Sequence, residues 1–457
     1  MNVQPAMPST AQWRRLHPLS PVVRFGRLLL AFIIVTLPSL ESTRTPRGFD
    51  LRFPALVWTA LLAVACVTAV LTWVVTKWRI DGAALRIDTG ILRRQSIRIP
   101  LTRIQAVDIV VPLAARVLGL AEVRVVSAGR GGQHGRLTYL AAAEAEAVRG
   151  QLLALAHGLA AETPQPPSLV LLHVDNARLI GALSVRARVA VPLMLMLASI
   201  AGIVISPAAG VAAVSSVLTV VVAAVVAVGR AFNEDFDFTI SEAGDGVRLD
   251  RGLLQRRHET IPYGRMQAVR LTQPLLWRPF GWWRLEVDVA RQRTPREGDA
   301  QGAVEARTLV PVARRPEALW VLARVFPDAG VTPPAGAEAP PRALLKAPLS
   351  HHFLAAWMGT RYAYARTGRV QEATVIVPLD KIQSLRLHSG PVQRRLRLAT
   401  LSIDTAGQRW QAAARCRDQA EAERLIWQLS ERARLARRGA SRPVAGAGMA
   451  ISSASWQ

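Results

Sequence analysis

Cysteine is almost absent from this chain: Cys66 and Cys416 are the only two, and they stand 350 positions apart. No CxxC or Cys/His spacing accompanies them, which excludes a disulfide framework and a zinc site. Lysine is nearly as scarce, with Lys77, Lys346 and Lys381 standing alone among 57 basic residues. A GC-rich genome, which replaces Lys codons by Arg codons, explains that bias as well as selection for bidentate phosphate contacts does. Acidic residues number 32, leaving a net charge of +25. Such an excess suits nucleic acid or an anionic leaflet.

Catalytic constellations are missing too. His258-Glu259 has Pro262 where a zinc-binding helix would place its second His, and His351-His352 has no carboxylate or cysteine beside it. The glycine cluster Gly129 to Gly135 lies between strand-like runs and opens no helix, so it fits a hairpin better than a phosphate cradle. No enzyme, metal or cofactor is therefore expected.

What the chain has in quantity is apolar residues, 51% of the total. A run from Val22 to Leu40 is broken only by Arg24 and Arg27, while Pro54 to Val75, Val189 to Ile205 and Ala208 to Gly229 carry no charge. At ~1.5 Å per residue, about 20 apolar residues span a hydrocarbon core. These runs predict two transmembrane pairs, at 22–75 and 189–229. A cleaved signal peptide is the rival for the first run, but its basic leader would be long, and Thr36 to Ser39 offer no small-x-small cleavage site. The flanking Arg14, Arg15, Arg24, Arg27, Lys77, Arg79, Arg186, Arg188 and Arg230 predict cytoplasmic ends. The loop from Glu41 to Phe53 goes outside despite Arg44, Arg47 and Arg52. The expected protein is a multi-spanning α-helical membrane protein of the bacterial inner membrane.

Around those pairs the chain divides into a tail (1–21), a first module (77–160), a linker (161–188), a second module (230–327), a Pro/Ala-rich linker (328–342), a third module (343–438) and a disordered tail (439–457). The linker PDAGVTPPAGAEAPP has too few bulky apolar residues to pack and reads as a semi-rigid spacer.

The modules are copies. GILRRQSIRIPLTRIQAV begins at Gly90, GLLQRRHETIPYGRMQAV at Gly252 and GRVQEATVIVPLDKIQSL at Gly368. Each Gly is followed by Pro at plus ten (Pro100, Pro262, Pro378) and a basic residue at plus thirteen (Arg103, Arg265, Lys381). Gln follows at plus fifteen (Gln105, Gln267, Gln383) and Arg at plus twenty-six (Arg116, Arg278, Arg394). The Gly between alternating apolar runs predicts a hairpin with φ > 0 at its turn, and the Pro ends the second strand. Further strands are expected at Glu122 to Ser127, Arg284 to Ala290 and Thr400 to Asp404. Helices are expected at Ala141 to Leu159, Pro316 to Phe326 and Asp418 to Arg438, with Asp418 as N-cap.

The pattern G-x9-P-x2-[RK]-x-Q with a later R-x-x-G-L/W resembles the bacterial pleckstrin-homology-like domain family, in its multi-spanning membrane form of YdbT type. The resemblance covers most of the chain and implies antiparallel β-barrel or sandwich modules, each capped by a C-terminal helix. The third copy departs from the pattern, with Arg397 in place of Gly119 and Gly281. The resemblance also implies a smaller companion membrane protein carrying one such module.

Arg103, Gln105, Arg116, Arg265, Gln267, Arg278, Lys381, Gln383 and Arg394 are candidates for a ligand or partner edge, since repeated Arg offers donors to phosphate or carboxylate. Residues repeated at strand ends also satisfy backbone carbonyls or internal ion pairs. Arg93, Arg94, Arg256, Arg257, Trp277, Trp282 and Trp283 are candidates for a membrane-facing surface, and the rings are equally candidates for the core. The functional expectation is a membrane scaffold that binds protein partners or anionic headgroups at the cytoplasmic face, alone or as a homo-oligomer. Transport is the alternative, which needs oligomerisation because the spans offer few polar groups. Juxtamembrane placement argues against nucleic acid.

Overall fold

The computed structural model describes residues 13–23, 25–26, 29, 52–81, 83–90, 94–127, 135–156, 169–186, 194, 207–244, 246–290, 307–407 and 410–440. The chain forms two compact units, one of residues 1–264 and 292–298, the other of 265–291 and 299–457.

In the first unit, β1 (Arg14–Arg15), β2 (Lys77–Asp81), β3 (Ala84–Thr89) and β4 (Gln95–Pro100) form an antiparallel sheet in that order. Helix α1 (Arg52–Val75) leads into β2. A second sheet follows from β5 (Ile104–Pro112), α2 (Leu113–Val117), β6 (Leu120–Ser127) and β7 (Gly135–Ala141), closed by helix α3 (Ala142–Ala156). Strand alternation sends Leu85, Ile87, Ile99, Val107, Ile109, Val123 and Val125 into one core with Val148 and Leu152 of α3. That sheet does not end at β5. After β8 (Leu169–His173), α4 (Asn176–Ser184) and α5 (Pro207–Asp235), strands β9 (Thr239–Ala243), β10 (Gly246–Arg251) and β11 (Gln255–Pro262) continue it in the order β7-β6-β5-β11-β10-β9-β8.

The second unit repeats the arrangement. Strands β12 (Met266–Pro274), β13 (Trp282–Val289) and β14 (Arg307–Arg314) are followed by helix α6 (Arg315–Val325). They share a sheet with β15 (Ala355–Met358), β16 (Tyr362–Thr367) and β17 (Gln371–Pro378), in the order β14-β13-β12-β17-β16-β15. The chain closes with β18 (Ile382–His388), α7 (Pro391–Arg395), β19 (Leu398–Thr405), β20 (Ala412–Asp418) and α8 (Gln419–Ala440).

The expected hairpin turns are present, with φ of 105° at Gly90, 111° at Gly252 and 93° at Gly368. A Cβ at Gly252 or Gly368 would lie 2.0 or 2.1 Å from the carbonyl oxygen of Gln255 or Gln371, so only glycine fits. Asp418 caps α8, its Oδ1 accepting from Ala420 N at 3.0 Å.

The multi-spanning expectation is overturned: among the described residues no helix is long and apolar enough to cross a membrane. The second and fourth runs do form helices, α1 and α5, but the side chains described in them cover only 59–75 and 221–235. The latter stretch ends in Arg230, Glu234 and Asp235, and Asp235 reaches Arg251 at 3.4 Å. At the end of α1, Trp73 packs on the first module's core and donates from Nε1 to Leu16 O at 3.0 Å. The multi-pass placement in an inner membrane, with modules on its cytoplasmic face, falls with the spans. Most of the first and third runs and the tail 441–457 lie outside the described residues, whereas the segment 161–188, expected as a linker, carries β8 and α4 within its described part, 169–186.

The Pro/Ala-rich linker is also not a free spacer. Ala337 and Ala339 are buried, Glu338 bridges to Ala355, and Arg417, 1% exposed, donates to the carbonyls of Ala337 and Glu338 at 2.6 Å and pairs with Glu421. A buried guanidinium with five donors can gather several carbonyls at once, and it supplies the anchor that apolar bulk does not.

Arg397 keeps the left-handed backbone of its glycine counterparts, with φ 51° against 67° at Gly119 and 64° at Gly281. An L side chain there costs on the order of 1 kcal/mol. Arg397→Gly is expected to stabilise the second unit by about that amount. Chemical denaturation of the two proteins side by side measures it, and an unchanged or lowered midpoint contradicts the strain.

Candidate binding edges and pocket

Two joints hold the modules together, and both are backbone ladders. In the first, β11 pairs antiparallel with β5, placing Gln255 opposite Pro112 and Arg257 opposite Val110. In the second, β17 pairs with β12, placing Gln371 opposite Pro274 and Ala373 opposite Thr272. Counted from the repeated prolines, the two registers are identical. Each module thus offers the first strand of its second sheet to the last hairpin strand of the next module.

The repeated Gln residues sit at one recurrent irregularity. The ladders β5·β6, β12·β13 and β18·β19 shift register between Ile104 and Ala106, Met266 and Ala268, and Ile382 and Ser384, leaving Gln105, Gln267 and Gln383 as the extra residues. A bulge bends its strand and deepens the twist, which lets a short sheet curl over a core. Gln267 is 5% exposed and donates to Arg265 O at 3.3 Å, whereas Gln105 is half-buried and Gln383 exposed.

The repeated cations divide. Arg265 donates to Ala290 O at 3.1 Å, and Lys381 lies 3.2 Å from Asp380. Arg278 crosses the second joint, donating to Arg369 O at 2.7 Å with its guanidinium 4.8 Å from the Phe353 ring. Arg103, Arg116 and Arg394 are exposed. The nine residues therefore form no single cluster; each belongs to its own bulge or turn.

Of the expected basic and aromatic surface, Arg93 lies outside the described residues and Arg94 is exposed. Arg256 and Arg257 are half-buried in β11, bonded to Asp237 at 3.3 Å and Gln255 at 3.4 Å. Trp277 is fully buried and meets half-buried Trp282 edge-on at 6.3 Å; Trp282 stacks on Phe280 at 4.5 Å. Trp283 is half-buried in β13. Trp277 fills the core, and the other two rings sit at its rim.

The first joint carries a polar network that no short motif announces. Arg149 of α3, 2% exposed, donates to Thr260 Oγ1 at 3.1 Å and to Glu146 at 3.2 Å. Arg248 spans Glu146 at 3.5 Å and Asp250 at 3.1 Å, and Asp250 meets His258 Nδ1 at 2.5 Å. Burial first, then Arg248, lowers the Arg149 guanidinium from its ordinary value. Its only sequence signal is an Arg on the apolar face of a helix.

A pocket of about 410 Å³ opens in the third module. Along β19 the residues alternate, with Leu401 and Ile403 in the apolar core and Thr400 and Ser402 lining the pocket. Gln393, buried, donates to Thr400 Oγ1 at 3.0 Å and accepts from Gly390 N at 3.0 Å. Lys346, His388 and Arg415 stand exposed around this hydroxyl-lined floor, and no carboxylate lines it. Farther along β19, Asp404 is already held by Arg386 at 2.7 and 2.8 Å, by Ser384 at 2.8 Å and by Gln411 at 3.3 Å. None of the pocket cations belongs to the repeated motif, and they come from separate segments of the chain.

A family model described as a bacterial PH domain matches residues 29–156, 186–326 and 339–433, most of the chain. The chain belongs to the bacterial PH domain family. The matches identify the domain and its threefold repetition, and not a multi-spanning subtype. No curated protein and no solved structure matches the chain. Among the described residues, no group of three or more His, Cys, Asp or Glu could hold a metal ion. The PH domains carry instead strand edges and, in the third domain, a basic pocket.

Burial opposes the charge of Asp250, but the His258 hydrogen bond and Arg248 outweigh it and hold the carboxyl below its ordinary value. The stability it adds is complete above the unfolded value of ~3.9 and is lost as pH falls through the lower folded value. Asp250→Asn is therefore expected to lose less stability than the parent as pH drops below about 4. Denaturant titrations at stepped acid pH measure the difference, and parallel curves contradict it.

Proposed function

We propose that this protein is a scaffold of PH domains whose third domain takes a phosphate-like anionic group into its basic pocket. The threefold match to a bacterial PH domain supports a binding role, and the repeats extend one sheet into the next as a scaffold requires. The observation that carries the ligand class is the pocket itself: Lys346, His388 and Arg415 around Thr400, Ser402 and Gln393, with no carboxylate among its lining residues. The Thr400 and Ser402 hydroxyls supply donors to the oxygens of a tetrahedral anion, Gln393 holds Thr400 in place, and the cations supply the charge. The volume suits one headgroup or one small phosphorylated molecule. Among the described residues no helix is long and apolar enough to supply the spans that the transport reading needs.

The test uses the full chain with inorganic pyrophosphate in calorimetry, and with phosphatidylglycerol against phosphatidylcholine vesicles in flotation. A charge-assisted hydrogen bond contributes about 1.5–3 kcal/mol, so Arg415→Gln or Ser402→Ala with Arg415→Gln is expected to weaken binding tenfold or more. Arg424→Gln, which removes equal charge from α8, is expected to leave binding unchanged. Pyrophosphate binding alone points to a free phosphorylated ligand and vesicle binding to a headgroup. Binding that is absent, or equally weakened by both charge variants, overturns the proposal.

A further inference from the structure

Among the described residues, two sheet edges of the kind paired twice internally are left unpaired. Strand β18 is the third copy of β5 and β12, yet among the described residues it pairs only with β19. Its residues Gln383, Ser384, Arg386, Leu387 and His388 are exposed, where most of the matching positions of β5 and β12 are buried. At the other end β4, the copy of β11 and β17, pairs among the described residues only with β3, and Gln95, Ser96 and Arg98 are exposed. An open edge presents a row of backbone N–H and C=O groups ready to template another strand. One edge is the donor side of the internal joint and the other is its acceptor side.

The acceptor edge is also shaped for a visitor. Between β18 and α8 runs a groove of about 360 Å³ lined by Leu385, Ile426, Trp427, Ala433 and Arg437, with the Trp427 ring 76% exposed and the Arg437 guanidinium already donating to Ile382 O at 2.7 Å. In the first joint the corresponding helix sends Arg149 across to Thr260 of the incoming strand. Counted from Glu144 and Glu146 in α3 and from Glu421 and Glu423 in α8, Ile426 stands in the place of Arg149. Counted from the prolines, Arg98 of β4 stands in the place of Thr260. The exchange is reciprocal: where the internal joint sets an Arg of the helix against a polar strand residue, the outer edges set an Arg of the strand against an apolar helix face with an open indole. A guanidinium over an indole ring is a favourable pair.

We propose that the β18 edge of one copy takes the β4 edge of a second copy, in the register of the internal joints, so that chains add head to tail. That register sets Leu385 opposite Arg98, Arg386 opposite Ile97, Leu387 opposite Ser96 and His388 opposite Gln95. The contact is heterologous: the two partners contribute different surfaces, and each new copy leaves the same two edges open. Each copy carries +25, so repulsion opposes the contact and screening by salt favours it.

The test is disulfide trapping between two populations of the full chain in a Cys66→Ser background, one carrying Ser96→Cys and the other Leu387→Cys. Oxidation of the mixture is expected to give a covalent dimer, while either population oxidised alone stays monomeric on a non-reducing gel. Light scattering of the parent chain is expected to show mass rising with concentration and with salt, and Leu387→Asp to reduce the association at least tenfold. Both substitutions sit on exposed positions, and an unchanged melting temperature verifies the fold of each variant. A mixture that gives no more dimer than the separate populations, a dimer formed by one population alone, or a parent chain monomeric at all concentrations overturns the proposal.

Discussion

Everything in this protein depends on one kind of contact, the antiparallel ladder that joins the second sheet of one PH domain to the first sheet of the next. A ladder is made of backbone groups that must find partners wherever they are shielded from water, so a domain with an open sheet edge is incomplete alone. The joint resolves this for two of the three domains. It also couples their geometry, because a strand shared between two domains cannot shift for one without shifting for the other. The turn glycines and the bulge glutamines are the local devices that bring each edge to the joint in the same register.

The two joints share a register but differ in chemistry. At the first, buried Arg149 is held by Thr260 and Glu146 in a polar network; at the matching strand position of the second stands fully buried Ile376. A polar network specifies which surfaces may meet, since a wrong partner leaves a buried charge unpaired. An apolar joint rewards burial of any well-shaped surface. The same backbone arrangement thus carries a polar contact at this position in one joint and an apolar one in the other.

How much of this was legible in the sequence depends on which physical demand shaped each residue. Gly252 and Gly368 stand out because no side chain fits their turns, and Pro262 and Pro378 because each ends a strand; hairpins, later strands and closing helices follow from them. The sharing of strands between domains was hidden, because a ladder is built by the backbone and leaves no side-chain pattern that names the partner strand. The runs 54–75 and 208–229 were read as spans from composition alone, whereas the ends of their helices are set by Trp73 against the first core and Asp235 against Arg251. The linker was misread because its anchor, Arg417, lies some 80 positions away. The pocket was invisible for a similar reason: Lys346, His388 and Arg415 converge only after three separate segments fold together.

The equal register of the joints bears on how chains of this design change length. Gaining or losing one whole repeat, with the cut made at matching positions of two copies, leaves every remaining strand facing a neighbour of the same type. A cut placed in a linker between domains, the usual place to divide a protein, would instead sever strands from the sheet they complete. Growth by unequal recombination between repeats therefore keeps the backbone register in this architecture, with only the side chains at the joints to be matched, and the natural unit of exchange is offset from the domain that the eye picks out.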